Sequence, residues 1–260
     1  MKRLLKLYGY FFKLNLKRLT VYRADFILNM VAMIVWALAG IVEILILFSN
    51  MSTFDGWTLA EMCLLYGLWS LTFALYNAFG HGVMEIEKHI LNGTMDTLLT
   101  KPLNPLYQLL TAHLNTMGLA MFLLGLVVTI VSCIGLSIHW TLLKVLFLIV
   151  SIISGGMIIF SINFILETLA FWYGRVHAAV RIGYDVHMFA KYPVSIYGKV
   201  VQLFLIFVFP YAFTNYVPAA VLIGKLNPVW GGLTPLVAAL IFGIALKVWN
   251  TGIRKYESAC

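Results

Sequence analysis

Residues 142–170 read "LLKVLFLIVSIISGGMIIFSINFILETLA", and their only charges, Lys144 and Glu167, stand close to the two ends. A helix rises about 1.5 Å per residue, so roughly 20 apolar residues cross a hydrocarbon layer of about 30 Å. Five more stretches satisfy the same condition, at 26–48, 58–80, 114–137, 200–223 and 229–250. The whole chain is 62% hydrophobic and 11% charged, whereas a soluble domain has about 45–50% apolar and about 25% charged residues. One soluble core cannot hide that excess. The sequence therefore predicts an all-α integral membrane protein, a single transmembrane domain over 1–260 with six transmembrane helices.

The fifth span is the least regular, because Pro210 and Pro218 interrupt it and Asn215 lies between them. Such backbone survives at membrane depth only under a cover of protein or beside a water-filled cavity. Half-helices dipping back from the far side are expected there.

Basic residues set the orientation. The segment 1–24 and the stretches 81–113, 171–199 and the C-terminal end hold sixteen of the eighteen Lys and Arg residues, leaving Lys144 and Lys225 for the other side. Lys/Arg-rich loops stay in the cytoplasm, so both termini are predicted to be cytoplasmic. A net charge of +8 is accounted for by this bias and by anionic headgroups, without nucleic acid. Segment 1–24 lacks the compact apolar core and small-residue cleavage site of a signal peptide. At about 100° per residue, Lys2, Lys6, Lys13 and Lys17 share one face opposite Leu4, Leu7, Phe11 and Leu14. That pattern predicts an interfacial helix with its lysines on lipid phosphates; an ordinary basic topogenic signal is the plainer reading.

Several function classes lose support. Deep ionisable residues mark proton and ion pathways. Here Glu43 is expected near the outer interface, Glu61 and Lys144 near outer helix ends, and Glu167 and Lys247 near inner ends. The six histidines are dispersed, and no H-E-x-x-H, G-x-S-x-G or metal-ligand spacing occurs. Cys63, Cys133 and Cys260 form no disulfide or zinc pattern. No catalytic or metal-binding residue is predicted. Gly198-Lys199 and Gly224-Lys225 lack the following Ser or Thr and the upstream glycine of a phosphate-binding loop. ATP, if it drives this protein, is hydrolysed on another chain.

Two polar segments remain. In 81–112, "HGVMEIEKHILNG" predicts a short helix ended at Asn92-Gly93, where glycine supplies a left-handed turn. Thr94 and Asp96 are suitable starters of a second helix, and Pro102 and Pro105 forbid its continuation into the third span. Ile90, Leu91, Leu98 and Leu99 form the apolar side. Residue chemistry leaves a docking element and a solvated linker both open. The stretch 171–199 predicts a second cytoplasmic interfacial helix, with Pro193 turning the chain into span five and Tyr192 and Tyr197 at headgroup level.

These residues carry a resemblance. "YRADFIL", "GWTLAEMCLLYG", "NGTMDTLLTKPLNPLYQ", "FAKYPVSIYGK", "FPYAFTNYVPAAVLIGK" and "WNTGIRKYESA" occur in order over nearly the full length. Together they resemble the bacterial ABC-2 type permeases, in particular a compact six-span group of this chain's length. The resemblance implies an ABC exporter permease in the bacterial cell membrane. It implies two ATPase subunits that bind ATP and Mg, and a second permease that is either a sister chain or another copy. It also implies a coupling helix in the loop between spans two and three, and re-entrant elements at 210–228. Carried onto this sequence, coupling falls on Glu85, Glu87, Lys88, His89, Asp96 and Lys101, with Pro102 and Pro105 setting rigidity. The rival is a non-transporting anchor, sensor or immunity subunit, and a secondary carrier comes third. The substrate is not legible.

Overall fold

The computed structural model describes residues 23–112 and 117–256. The lysines at 2, 6, 13 and 17, and with them the predicted interfacial helix, lie outside the described residues. Among those residues the fold is helical throughout, with a lone antiparallel bridge between Phe54 and Trp57. Five of the described helices are long and apolar enough to cross a membrane: α1 Arg23–Phe48, α2 Leu59–Gly80, α6 Met117–Gly135, α7 Leu142–Thr168 and α11 Pro228–Lys255. Between α2 and α6 lie α3 (Ile86–Leu91), α4 (Met95–Leu99) and α5 (Pro105–Ala112). Between α7 and α11 lie α8 (His177–Phe189), α9 (Lys199–Leu203) and α10 (Tyr216–Leu222).

Local chemistry fixes several helix starts. The Thr58 hydroxyl caps the Glu61 amide while the Glu61 carboxylate accepts from the Thr58 amide at 2.8 Å, a reciprocal capping box. Asn227 caps α11 through the Val229 amide at 3.0 Å, with Pro228 in the first helical position. The Glu61 carboxylate also meets Lys225 Nζ at 2.6 Å, and that ammonium lies 4.4 Å from the centre of the Trp57 ring. These contacts tie the start of α2 to the α10–α11 turn. They define one end of the bundle; the opposite end carries Gly80, Thr168, Lys255 and the 81–112 element.

Small residues let the central helices approach, as membrane packing requires in the absence of a hydrophobic drive between helices. A Cβ on Gly155 of α7 would lie 2.5 Å from Thr72 Cγ2 and 2.8 Å from the Thr214 carbonyl oxygen. The Ser70 hydroxyl of α2 donates to the Met121 carbonyl of α6 at 3.0 Å.

The proline-broken segment folds as an angle rather than a straight span. Lys199–Val208 and Tyr211–Leu222 meet at 79°. Pro210 has no amide hydrogen, and the turn before it widens so that the Phe209 amide bonds the Phe204 carbonyl at 2.9 Å. Asn215, fully buried, donates to the carbonyls of Ala190 at 2.5 Å and Leu65 at 3.5 Å, and its own oxygen accepts from the Thr214 hydroxyl at 2.8 Å. Removing that amide leaves the buried Ala190 carbonyl without this donor, which costs about 1–3 kcal/mol. Asn215→Ala should therefore lower the thermal midpoint in detergent, whereas Asn50→Ala, on an exposed turn, should leave it unchanged.

The stretch 171–199 departs from the sequence expectation. α8 does not lie flat beside the 81–112 element; it climbs into the bundle. Gly183 packs on Leu166 near the end of α7. His187 stacks on Trp69 and Phe73 in the middle of α2, with ring centres 5.4 and 5.2 Å away. Ala190 reaches the level of Leu65 through Asn215. Thirteen residues carry the chain roughly 20 Å, enough to bring 190–198 beside the other half of α1.

Candidate functional site: the 81–112 element and the ion pair at Glu43

The 81–112 element starts with a tight turn, His81–Glu85, pressed against α5. Gly82 makes this possible, since a Cβ there would fall 1.8 Å from the Leu109 carbonyl oxygen. Gly93, with φ +66°, turns the chain after α3. The 101–104 turn is held from below: buried Gln108 donates to the carbonyls of Leu98 at 2.8 Å and Leu103 at 2.9 Å, and Asn104 caps α5 through the Leu106 amide at 2.9 Å. The apolar side of the element, Val83, Ile86, Met95 and Leu109, packs with Phe164 of α7 and with Ala245 and Trp249 of α11. It is thus a folded body seated on two membrane helices.

The predicted coupling residues divide into two groups. Lys88, Lys101 and Pro102 are exposed. Glu85, His89 and Asp96 are half-buried, with His89 Nδ1 2.8 Å from the Thr94 hydroxyl. Glu87 points inward instead of toward a partner. Its carboxylate accepts the Val176 amide at 3.2 Å, and its own amide donates to Glu167 at 3.3 Å. Glu167, expected near an inner helix end, is only 4% exposed. Leu91, expected on the apolar side, is 47% exposed and joins Thr94, Thr97 and Lys101 on the outward face.

Glu43 and Lys191 were expected on opposite sides of the membrane. The structure pairs them at 2.6 Å, and the Tyr192 hydroxyl donates to the same carboxylate. Tyr192, Pro193 and Tyr197 therefore belong with α1, not with a loop beside the 81–112 element. Burial, and then the Glu43 carboxylate, hold the Tyr192 phenol above its ordinary value, so it keeps its proton and donates. Pro193 is buried before a tight turn, Val194–Ile196, and the Tyr197 hydroxyl donates to the Phe189 carbonyl at 2.9 Å.

Sequence reasoning missed His187 as well. It is buried at 1% exposure, stacked on two rings and edge-on to Tyr211 at 5.0 Å. A signal existed. Arg181 and Asp185, four residues apart and 3.3 Å from each other, form one stripe, and Gly183 and His187 stand about 200° and 240° round the helix from Arg181. Among the described residues, no group of three or more His, Cys, Asp or Glu side chains is placed to hold a metal ion.

The fold and the seated polar element define the class: a polytopic α-helical membrane protein with a polar body seated on two of its spanning helices. The family model for ABC-2 family transporter proteins matches residues 10–260, and the chain belongs to that family. No match is found among curated proteins. Membership makes this chain a membrane component, of a kind generally without catalysis of its own, that associates with ABC ATPase components.

Proposed function

We propose that this chain is the permease subunit of an ATP-driven exporter in a bacterial cell membrane, working with a second permease and two ATPase subunits that bind ATP and Mg. The observation that carries this reading is the 81–104 body. Its apolar face is locked to α7 and α11, while Lys88, Thr94, Thr97, Lys101 and Pro102 are presented outward. Withdrawing Lys191 and Lys199 from the basic side still leaves the charge bias one-sided, which supports a cytoplasmic position for this element and for both termini.

A push on the element has two rigid routes inward. One runs through Ile86 and Met95 to Phe164 and Trp249. The other runs through Glu87, whose carboxylate holds the Val176 amide one residue before α8. α8 then carries the motion to His187, in the middle of the bundle, and on to Lys191 beside Glu43. Glu87 is a positioning residue in this mechanism, and docking falls to the exposed groups. Changing both Lys88 and Lys101 to glutamate should weaken retention of the cognate ATPase at least tenfold, with membrane insertion unchanged. Copurification from mild detergent, scored by vanadate-sensitive ATP hydrolysis, checks it; unaltered retention and unaltered substrate movement in vesicles would sink the docking assignment.

A further inference from the structure

The Glu43–Lys191 pair is too exposed for a charge pair facing hydrocarbon. The Glu43 side chain is 50% exposed and that of Lys191 23%, and bare lipid tails do not tolerate such charges. The pair sits in the wall of a cavity of about 750 Å³, whose other polar lining is Asp185, Tyr192 and Tyr197. Ile46, Leu47, Phe54, Met188, Phe189 and Ile196 supply the apolar remainder. A second groove, of about 590 Å³, runs along α1 past Val35, Leu38 and Val42 and shares Glu43 and Ile46 with the first. Glu43 stands five residues before the end of α1 at Phe48, about 8 Å in, near the headgroup boundary. The groove continues from there to Val35, roughly 12 Å deeper.

From this juxtaposition we infer that the cavity binds the head of a zwitterionic phospholipid, with an acyl chain laid along the α1 groove. Lys191 has three donor hydrogens and gives one to Glu43, leaving donors for a phosphate. Asp185 and Glu43 receive the ammonium, and the Tyr197 ring offers a cation–π face; the Tyr192 ring already carries Lys191 Nζ, 5.2 Å from its centre. Charge balance selects the class. Asp185 is already offset by Arg181 at 3.3 Å and Glu43 by Lys191 at 2.6 Å, so a head with net charge of either sign would leave that charge unbalanced at the site. A head carrying both charges satisfies each partner. The site does not depend on the export reading, because it is a property of the permease chain alone.

The test uses the full-length chain purified in maltoside detergent, titrated with phosphatidylethanolamine and phosphatidylglycerol carrying the same acyl-chain fluorophore. Phosphatidylethanolamine should bind at least fivefold more tightly. Glu43→Gln, which keeps the shape and the Tyr192 contact, and Lys191→Met should each remove that preference, while Lys191→Arg should retain it within twofold. Size-exclusion profiles separate misfolding from lost binding. Equal binding of both lipids, or a preference that survives Lys191→Met, overturns the assignment. So does efficient disulfide linkage of two Val42→Cys chains with no lipid preference, which would give the groove to a second copy. Failure here leaves ATP-driven export standing, and loss of ATPase coupling leaves the lipid result standing.

Discussion

Gly155→Leu should abolish recovery of folded protein. The position lies where α7 crosses α2 and touches the proline-broken segment, and even a methyl group there meets Thr72 Cγ2 at 2.5 Å and the Thr214 carbonyl oxygen at 2.8 Å. The threonine side chain has little freedom, because its hydroxyl bonds the Leu68 and Trp69 carbonyls, both at 3.0 Å. The Thr214 backbone has less, since its amide bonds Tyr211 and its hydroxyl reaches Asn215. Overpacking a well-fitted core by a methylene or two costs about 1–3 kcal/mol. A whole leucine against backbone exceeds that, and the marginal stability of folded proteins leaves little reserve. The expected result is loss of the monodisperse peak in size-exclusion chromatography. Gly232→Leu in α11, where an added Cβ meets nothing within 4 Å, should leave the peak intact.

The crossing that makes Gly155 critical could not be read from the sequence, although the helix that contains it could. A spanning helix satisfies its own backbone hydrogen bonds, so its existence is written locally in an apolar run. That is why α1, α2, α6, α7 and α11 follow the apolar stretches. The Asn92-Gly93 turn was legible for a similar reason: the left-handed φ of +66° at Gly93 is a local demand that glycine meets cheaply. Which glycine faces which helix depends on partners far along the chain.

The same distinction explains the site. Arg181, Asp185 and Lys191 made 171–199 look interfacial, because window hydropathy averages over all faces of a helix. α8 instead keeps Arg181 and Asp185 outward, 68% and 57% exposed, and turns Gly183 and His187 into an aromatic wall. Lys191 then finds its counter-charge 148 positions away, on α1. Periodicity announces such a face but cannot name what covers it. The inward turn of Glu87 was hidden in the same way, since its acceptor role depends on Val176, 89 residues later.

Gly82→Ala should separate the 81–104 body from the spanning bundle without destroying either. The added Cβ would lie 1.8 Å from the Leu109 carbonyl oxygen and 2.6 Å from its carbon. Both belong to α5 backbone, so no side-chain rotation relieves the clash, and the His81–Glu85 turn must move away. Val83 and Ile86, now 1% and 0% exposed, leave their seat against Phe164 and Trp249, and burial of each such side chain is worth about 1.5–3 kcal/mol. The contacts of α2 with α6 and α7 near Ser70 and Thr72 are remote from this turn and should persist. Size-exclusion behaviour should therefore stay near that of the parent chain, whereas trypsin should cut after Lys88 at least tenfold faster. On the proposed docking role, ATPase retention should fall with the loosening, because the outward groups lose the support that α7 and α11 give them. Gly93→Ala separates seating from turn geometry: the residue has φ +66° but open space around it, so it should cost about 1 kcal/mol of local strain and leave the proteolysis rate within a few-fold of the parent. Equal protection of the Gly82→Ala chain would show that the element does not need its seat, and would remove the mechanical route from the ATPase to α7 and α11.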